Sequence, residues 1–115
     1  VIDDEEIVRE MMKDVLEELG YTPLFAKNGK EGVELFKKIY NDIDLVMIDM
    51  NMPELAGRET FRKIKEIAPS VKTILISGFG LNGTVSKLLE EGFSAFLHKP
   101  FTLGELSEVL NEVLQ

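Results

Sequence analysis

The sequence predicts an α/β fold, a doubly wound, five-stranded parallel sheet of order 2-1-3-4-5 with helices on both faces. Short apolar runs of strand length alternate with stretches whose apolar residues recur at helical spacing, the pattern that βαβ units produce. The central run, Leu45-Val46-Met47-Ile48 between Asp44 and Asp49, is continuous rather than alternating, as expected of a strand covered on both faces. At 115 residues the chain has the size of one domain and can bury roughly two-thirds of its unfolded surface. A single domain over residues 1–115 is therefore expected.

Val1-Ile2-Asp3 opens the first βα unit. It is shorter than a typical buried strand of about 5–6 residues, so the first few apolar residues of that strand are expected to precede this chain. From Glu5 to Leu19, the residues Ile7, Val8, Met11, Met12, Val15, Leu16 and Leu19 recur at helical spacing, and Gly20 supplies a C-terminal stop. Thr22 to Ala26 reads as the second strand. Asn28-Gly29 is a turn, and the helix after it presents Val33, Leu35, Phe36, Ile39 and Tyr40.

The third strand is Asp44 to Asp49. A turn at Pro53 and then Gly57 lead into a helix that carries Phe61, Ile64 and Ile67 inward until Pro69 stops it. Val71 to Ser77 is the fourth strand and runs into Gly78-Phe79-Gly80, a mobile loop by composition. The stretch from Leu81 to Glu91 holds Gly83, Thr84, Val85 and Ser86, all poor helix formers, and is expected to be the least stable helix. Ser94 to Leu97 is the fifth strand. Thr102 caps a last helix whose Leu103, Leu106, Val109, Leu110 and Val113 face the sheet.

Composition narrows the functions available. There are no cysteines, so neither disulfides nor thiol chemistry are open to the chain, and a reducing cytoplasm is the expected compartment. No apolar run approaches the roughly 18 residues of a membrane-spanning helix. Neither a signal peptide nor a low-complexity segment nor an internal repeat is present. The formal charge of −8 argues against direct nucleic-acid binding, which needs clustered Lys and Arg, and suits protein partners or cations.

Chemistry is expected where the carboxyl ends of the strands meet, since ligands of open α/β sheets sit there. Asp3 and Asp4 follow the first strand and Asp49 ends the third. Strands 1 and 3 are neighbours in the order 2-1-3-4-5, so the three carboxylates converge. Like charges that close are unfavourable unless a cation offsets them or one protonates. A carboxylate-rich site with a backbone carbonyl and room for water suits Mg²⁺ better than zinc, which prefers His or Cys. The ordinary explanation, that Asp3-Asp4-Glu5-Glu6 favours the positive end of the first helix, does not account for Asp49.

Lys99 ends the fifth strand on the same rim, where its point charge can reach an anion beside the metal. The Lys99-Pro100 bond is of the kind that can be cis, which would aim the amine at the crevice. Ser77 ends the fourth strand, so its hydroxyl also reaches this rim. His98, the only histidine, alternates with Lys99 along a strand and points to the other face, so it is read as a surface residue rather than a proton carrier.

Taken together, Asp3-Asp4-Glu5, Asp49-Met50-Asn51-Met52-Pro53 with Gly57, Ser77-Gly78 and Lys99-Pro100-Phe101, each after its own strand, resemble the receiver domain of two-component response regulators. The resemblance covers the whole chain apart from the start of the first strand. It implies a flavodoxin-like (βα)5 fold and a phosphorylation-dependent switch of a phosphorelay. By similarity, Asp49 takes a phosphoryl group from a phosphohistidine of a partner histidine kinase or histidine phosphotransfer protein. Asp4, Asp49 and the backbone carbonyl of Asn51 hold Mg²⁺, with Mn²⁺ as an alternative, and Asp3 acts through a bound water or directly. Lys99 pairs with one phosphoryl oxygen and Ser77 hydrogen-bonds another, while Phe96 turns inward when Ser77 moves.

The resemblance further implies that the domain catalyses its own phosphorylation and dephosphorylation without a separate turnover substrate. Its output surface would be the fourth helix, fifth strand and fifth helix, engaging an output domain or a second copy, with no membrane or nucleic-acid contact. Ser stands at position 77 where the family more often has Thr, and Phe96 lacks the hydroxyl of the commoner Tyr. Asn51 and Phe79 occupy positions that in the family tune access of water to the acyl phosphate. Ser77-Gly78-Phe79-Gly80 also looks like receivers attached to hybrid sensor kinases. Two other functions on this fold fit less well: a flavin or nucleotide binder needs a Gly- or hydroxyl-rich first loop, and a phosphatase with an Asp nucleophile needs a cap that no insertion here can build.

Overall fold

The structure, a computed structural model, describes residues 1–50, 56–78 and 92–114. Helix α1 spans Glu6–Glu18 and α2 spans Gly29–Ile39, followed by a short 3-10 turn at Tyr40–Asp42. Strand β1 (Leu45–Asp49), helix α3 (Ala56–Ile67), strands β2 (Lys72–Ser77) and β3 (Ala95–His98) and helix α4 (Leu103–Leu114) complete the described elements. The expected Pro53 turn and the Leu81 to Glu91 helix lie outside the described residues.

Strands β1, β2 and β3 form a parallel ladder in that order, with Asp49 beside Ile76 and Ser77 beside His98. Ile2 joins the other two segments to it through single parallel bridges, to Ala26 on one side and to Ile48 on the other. The complete order is the predicted 2-1-3-4-5. Thr22 to Ala26 forms one bridge rather than a strand. It is nonetheless bonded to Val1 to Asp3: Val1 N donates to Leu24 O at 2.8 Å, Ala26 N to Val1 O at 3.0 Å and Asp3 N to Ala26 O at 3.1 Å.

Alternation along the strands makes the sheet two-sided. Val46, Ile48 and Leu75 join Val33 and Phe36 of α2 and Phe61 and Ile64 of α3 in one core. Met47, Ile74, Ile76 and Leu97 join Met12 and Leu16 of α1 and Leu106, Leu110 and Val113 of α4 in the other. The helices face these cores with fewer residues than their spacing suggested. Ile7, Met11 and Leu103 are exposed, because one helical face about 100° wide suffices to cover the sheet.

Local chemistry sets the helix ends. Gly20 adopts φ +94°, the left-handed conformation that ends α1. Asn28 is the N-cap of α2, its side chain accepting from Glu31 N at 2.8 Å. Thr102 and Glu105 form a capping box at α4, Glu105 N donating to Thr102 Oγ1 at 3.1 Å and Thr102 N to Glu105 Oε1 at 3.4 Å. Gly57, expected before α3, lies inside its first turn, where a Cβ would come within 2.8 Å of the Asp49 carbonyl oxygen and 3.0 Å of Met50 Cα. Only glycine lets α3 approach the end of β1 this closely.

One core position carries a testable cost. Thr73 on β2 is fully buried, and its hydroxyl has no hydrogen-bond partner among the described residues. Replacing that hydroxyl by a methyl removes an unsatisfied polar group at nearly constant shape, so Thr73→Val is expected to stabilise the fold by about 1 kcal/mol. Thermal unfolding reads this as a higher midpoint. A midpoint lowered by a comparable amount would show that the hydroxyl is bonded after all.

Candidate functional site

Two buried carboxylates meet at the carboxyl edge of the sheet. Asp49, the last residue of β1, is fixed by its N–H, which donates to Ile2 O at 2.9 Å, and the next residue, Met50, donates to Ile76 O at 2.7 Å. Asp3 is held by the bond of its N–H to Ala26 O and by its own Oδ1, which accepts from Glu5 N at 2.9 Å. Both side chains are almost wholly inaccessible, whereas Asp4 and Glu5 are exposed at the mouth of the crevice.

The four residues offer carboxylate oxygens that all lie within 4.8 Å of one another. That spacing brings together four formal negative charges, and the positive charge beside them comes from the opposite end of the chain. Lys99 Nζ stands 3.4 Å from Asp3 Oδ2 and 3.5 Å from Asp49 Oδ2. Its backbone is tied to β2 by the bond from Lys99 N to Ser77 O at 2.7 Å, and the Lys99-Pro100 peptide is cis. Burial pulls the Lys99 pKa down, but the carboxylates of Asp49 and Asp3 outweigh it, and the net value stands above that of an ordinary lysine. The ammonium is therefore charged throughout the neutral range.

Ser77 is buried at the end of β2, one residue beyond the partner of Asp49 in the ladder. Phe96 is half-buried on β3, packed against the core that contains Phe61 and Ile64. Its ring stands edge-on to His98, with centroids 6.3 Å apart. His98 itself is exposed, with Nδ1 2.8 Å from the Lys99 carbonyl oxygen, as its place in the strand alternation predicts. Of the expected site residues, Asp3, Asp4, Asp49 and Lys99 are thus brought together, with Ser77 on the adjoining strand end. Asn51 and Phe79 lie outside the described residues.

The expected ligand set omitted Glu5. As the N-cap of α1, with φ −95° and ψ 117°, it is extended rather than helical, which carries its side chain toward Asp3 and Asp4. Helical spacing alone does not separate Glu5 from the helix it precedes; the extended backbone ahead of α1 is what places it with the loop.

The donor set is entirely oxygen, with no His or Cys, which fits a hard divalent cation and does not fit zinc. Such an arrangement can neutralise an anion from two sides, by the cation and by Lys99, next to a buried carboxylate able to act as a nucleophile.

Comparison with known proteins gives a consistent picture. The profile of the family described as "Response regulator receiver domain" matches residues 1–111. The chain is 35% identical over 114 residues to the chemotaxis protein CheY of Thermotoga maritima, a match covering 98% of this chain and 93% of that protein. It is 30% identical over 115 residues to the sensor kinase CckA of Brucella abortus, where all of this chain matches 12% of the kinase. The crystal structure of a response regulator receiver domain protein from Clostridium thermocellum superimposes with a TM-score of 0.93 at 35% identity, covering 98% of this chain and 90% of that one.

Proposed function

The chain belongs to the response regulator receiver domain family, whose members act in phosphorylation-dependent two-component signalling, and from that premise we propose that Asp49 is its phosphoacceptor. The observation that carries the proposal is the position of Lys99 Nζ, within 3.5 Å of the carboxylates of both Asp3 and Asp49. An amine held there is placed to pair with a phosphoryl group joined to Asp49.

The donor is a phosphohistidine of a histidine kinase or of a histidine phosphotransfer protein. An Asp49 carboxylate oxygen bonds to phosphorus while the phosphorus–nitrogen bond breaks and the imidazole departs. Lys99 takes up charge on one equatorial oxygen, and Ser77 donates its hydroxyl to another. Asp4, Asp49 and the carbonyl of Asn51 would hold Mg²⁺ or Mn²⁺, with Asp3 and Glu5 completing the acidic shell. When bound, the cation supplies charge neutralisation at the transferring phosphoryl group. Hydrolysis of the acyl phosphate by water at the same site returns the domain to its starting state.

The new charge on residue 49 draws Ser77 toward it and lets Phe96 turn inward, and the change is read on the surface of the Leu81 to Glu91 stretch, β3 and α4. That surface engages an output domain or a second copy. The likeness to a segment of CckA supports a second setting, in which the domain serves as the receiver part of a longer sensor kinase. In either setting the proposed compartment is the cytoplasm, where a kinase draws on ATP. Among the described residues no helix is long and apolar enough to cross a membrane.

Incubation with acetyl phosphate and Mg²⁺ followed by intact-mass measurement tests the reading. One added phosphoryl group is expected with the cation present and none after chelation. Gain that persists without any divalent cation would count against the acidic cluster as its site. Repeated turnover of small phosphate esters would instead favour a phosphatase.

A further inference from the structure

We infer that Arg9 is a positioning residue, which holds the acidic loop in shape for the cation; this rests on the cation reading above. Arg9 is the fourth residue of α1, in a turn where the helix dipole disfavours positive charge, so its side chain is there for something other than helix stability. Its Nη1 donates to the carbonyl oxygen of Asp3 at 2.7 Å, six residues back and outside the helix, while its own N–H donates to Glu5 O at 3.1 Å.

These bonds complete the fixation of Asp3. Its N–H is bound to Ala26, its Oδ1 to Glu5 N and its Oδ2 to Lys99, and Arg9 takes the remaining main-chain acceptor. Asp4 and Glu5, the exposed members of the cluster, hang between Asp3 and the helix. A charge-assisted bond across that span fixes the turn on which both are carried. Four carboxylates within 4.8 Å repel one another, and an untethered loop would relax by swinging the exposed pair outward. The tether keeps the cluster assembled before the cation arrives, so less ordering is required on binding.

The charge and the tether of Arg9 act in opposite directions, which makes the test one of sign. As a positive charge, Arg9 repels a divalent cation, and its removal alone would tighten binding. As a tether it strengthens binding, and its removal weakens it. Isothermal titration of Mg²⁺ is carried out on the parent, Arg9→Met and Arg9→Lys. We expect Kd to rise roughly fivefold to tenfold in Arg9→Met, less than the whole of one charge-assisted hydrogen bond because the relieved repulsion offsets part of its loss, with Arg9→Lys between the two. The gain in unfolding midpoint on adding saturating Mg²⁺ should shrink in Arg9→Met. A residue that only packed would cost the same stability with and without the cation.

A Kd for Arg9→Met within twofold of the parent, or lower than it, overturns the inference. Failure of the parent itself to bind Mg²⁺ overturns the cation reading, and the inference with it.

Discussion

Asp49→Asn is expected to abolish phosphorylation. With acetyl phosphate and Mg²⁺, intact mass is expected to show one added phosphoryl group on the parent and none on the variant, although the two differ at one heavy atom and fill nearly the same space. The amide cannot act as the nucleophile, because its nitrogen lone pair is delocalised and its oxygen carries no full charge. The fold should survive. Asp49 is almost wholly buried within a cluster of carboxylates, so a neutral isostere removes repulsion there, and the unfolding midpoint should hold or rise. Retained mass gain in the variant would move the acceptor to another residue and overturn the proposed assignment.

Lys99→Met is expected to slow phosphoryl transfer by about two orders of magnitude, the usual consequence of losing one preorganised charge at the transferring group. Its effect on the cation runs the other way. In the parent the ammonium stands 3.4 and 3.5 Å from the Asp3 and Asp49 carboxylates, where it offsets the charge that would otherwise attract Mg²⁺. Removing it leaves the acidic residues more attractive to a divalent ion, so Mg²⁺ should bind more tightly while the chemistry fails. A stopped-flow rate against acetyl phosphate together with a calorimetric Kd separates the two effects. Weaker cation binding in the variant would mean that Lys99 serves chiefly to shape the site.

Much of this site was legible because strand ends are legible. Asp49, Ser77 and Lys99 each close an apolar run, and the parallel order of those runs follows from the alternation with helices, so their convergence could be read without coordinates. What was not legible involves distance within a turn rather than order along the chain. Glu5 belongs with the carboxylates because the residue before α1 is extended, and Arg9 reaches back to Asp3 because the first helical turn carries its side chain over the loop. Spacing rules for strands and helices say little about either. Leu103, Ile7 and Met11 share the spacing of the helical faces yet stay exposed, since apolar periodicity reports which residues can face a core and not which are needed to cover it. By sequence Gly57 belongs to the approach to α3, whereas the close packing of that helix against the Asp49 carbonyl is a tertiary contact that spacing does not report.

Ile2 spans the seam between the outermost segment of the sheet and its centre, bridging Ala26 on one side and Ile48 on the other. Asp3 inherits its position from that seam. Its own amide is bonded outward to Ala26, while the amide of Asp49 is bonded back to Ile2. Fraying at the margin of the sheet would therefore reach one wall of the acidic crevice directly and the other only through a single residue, so the site loosens unevenly, from the outside in.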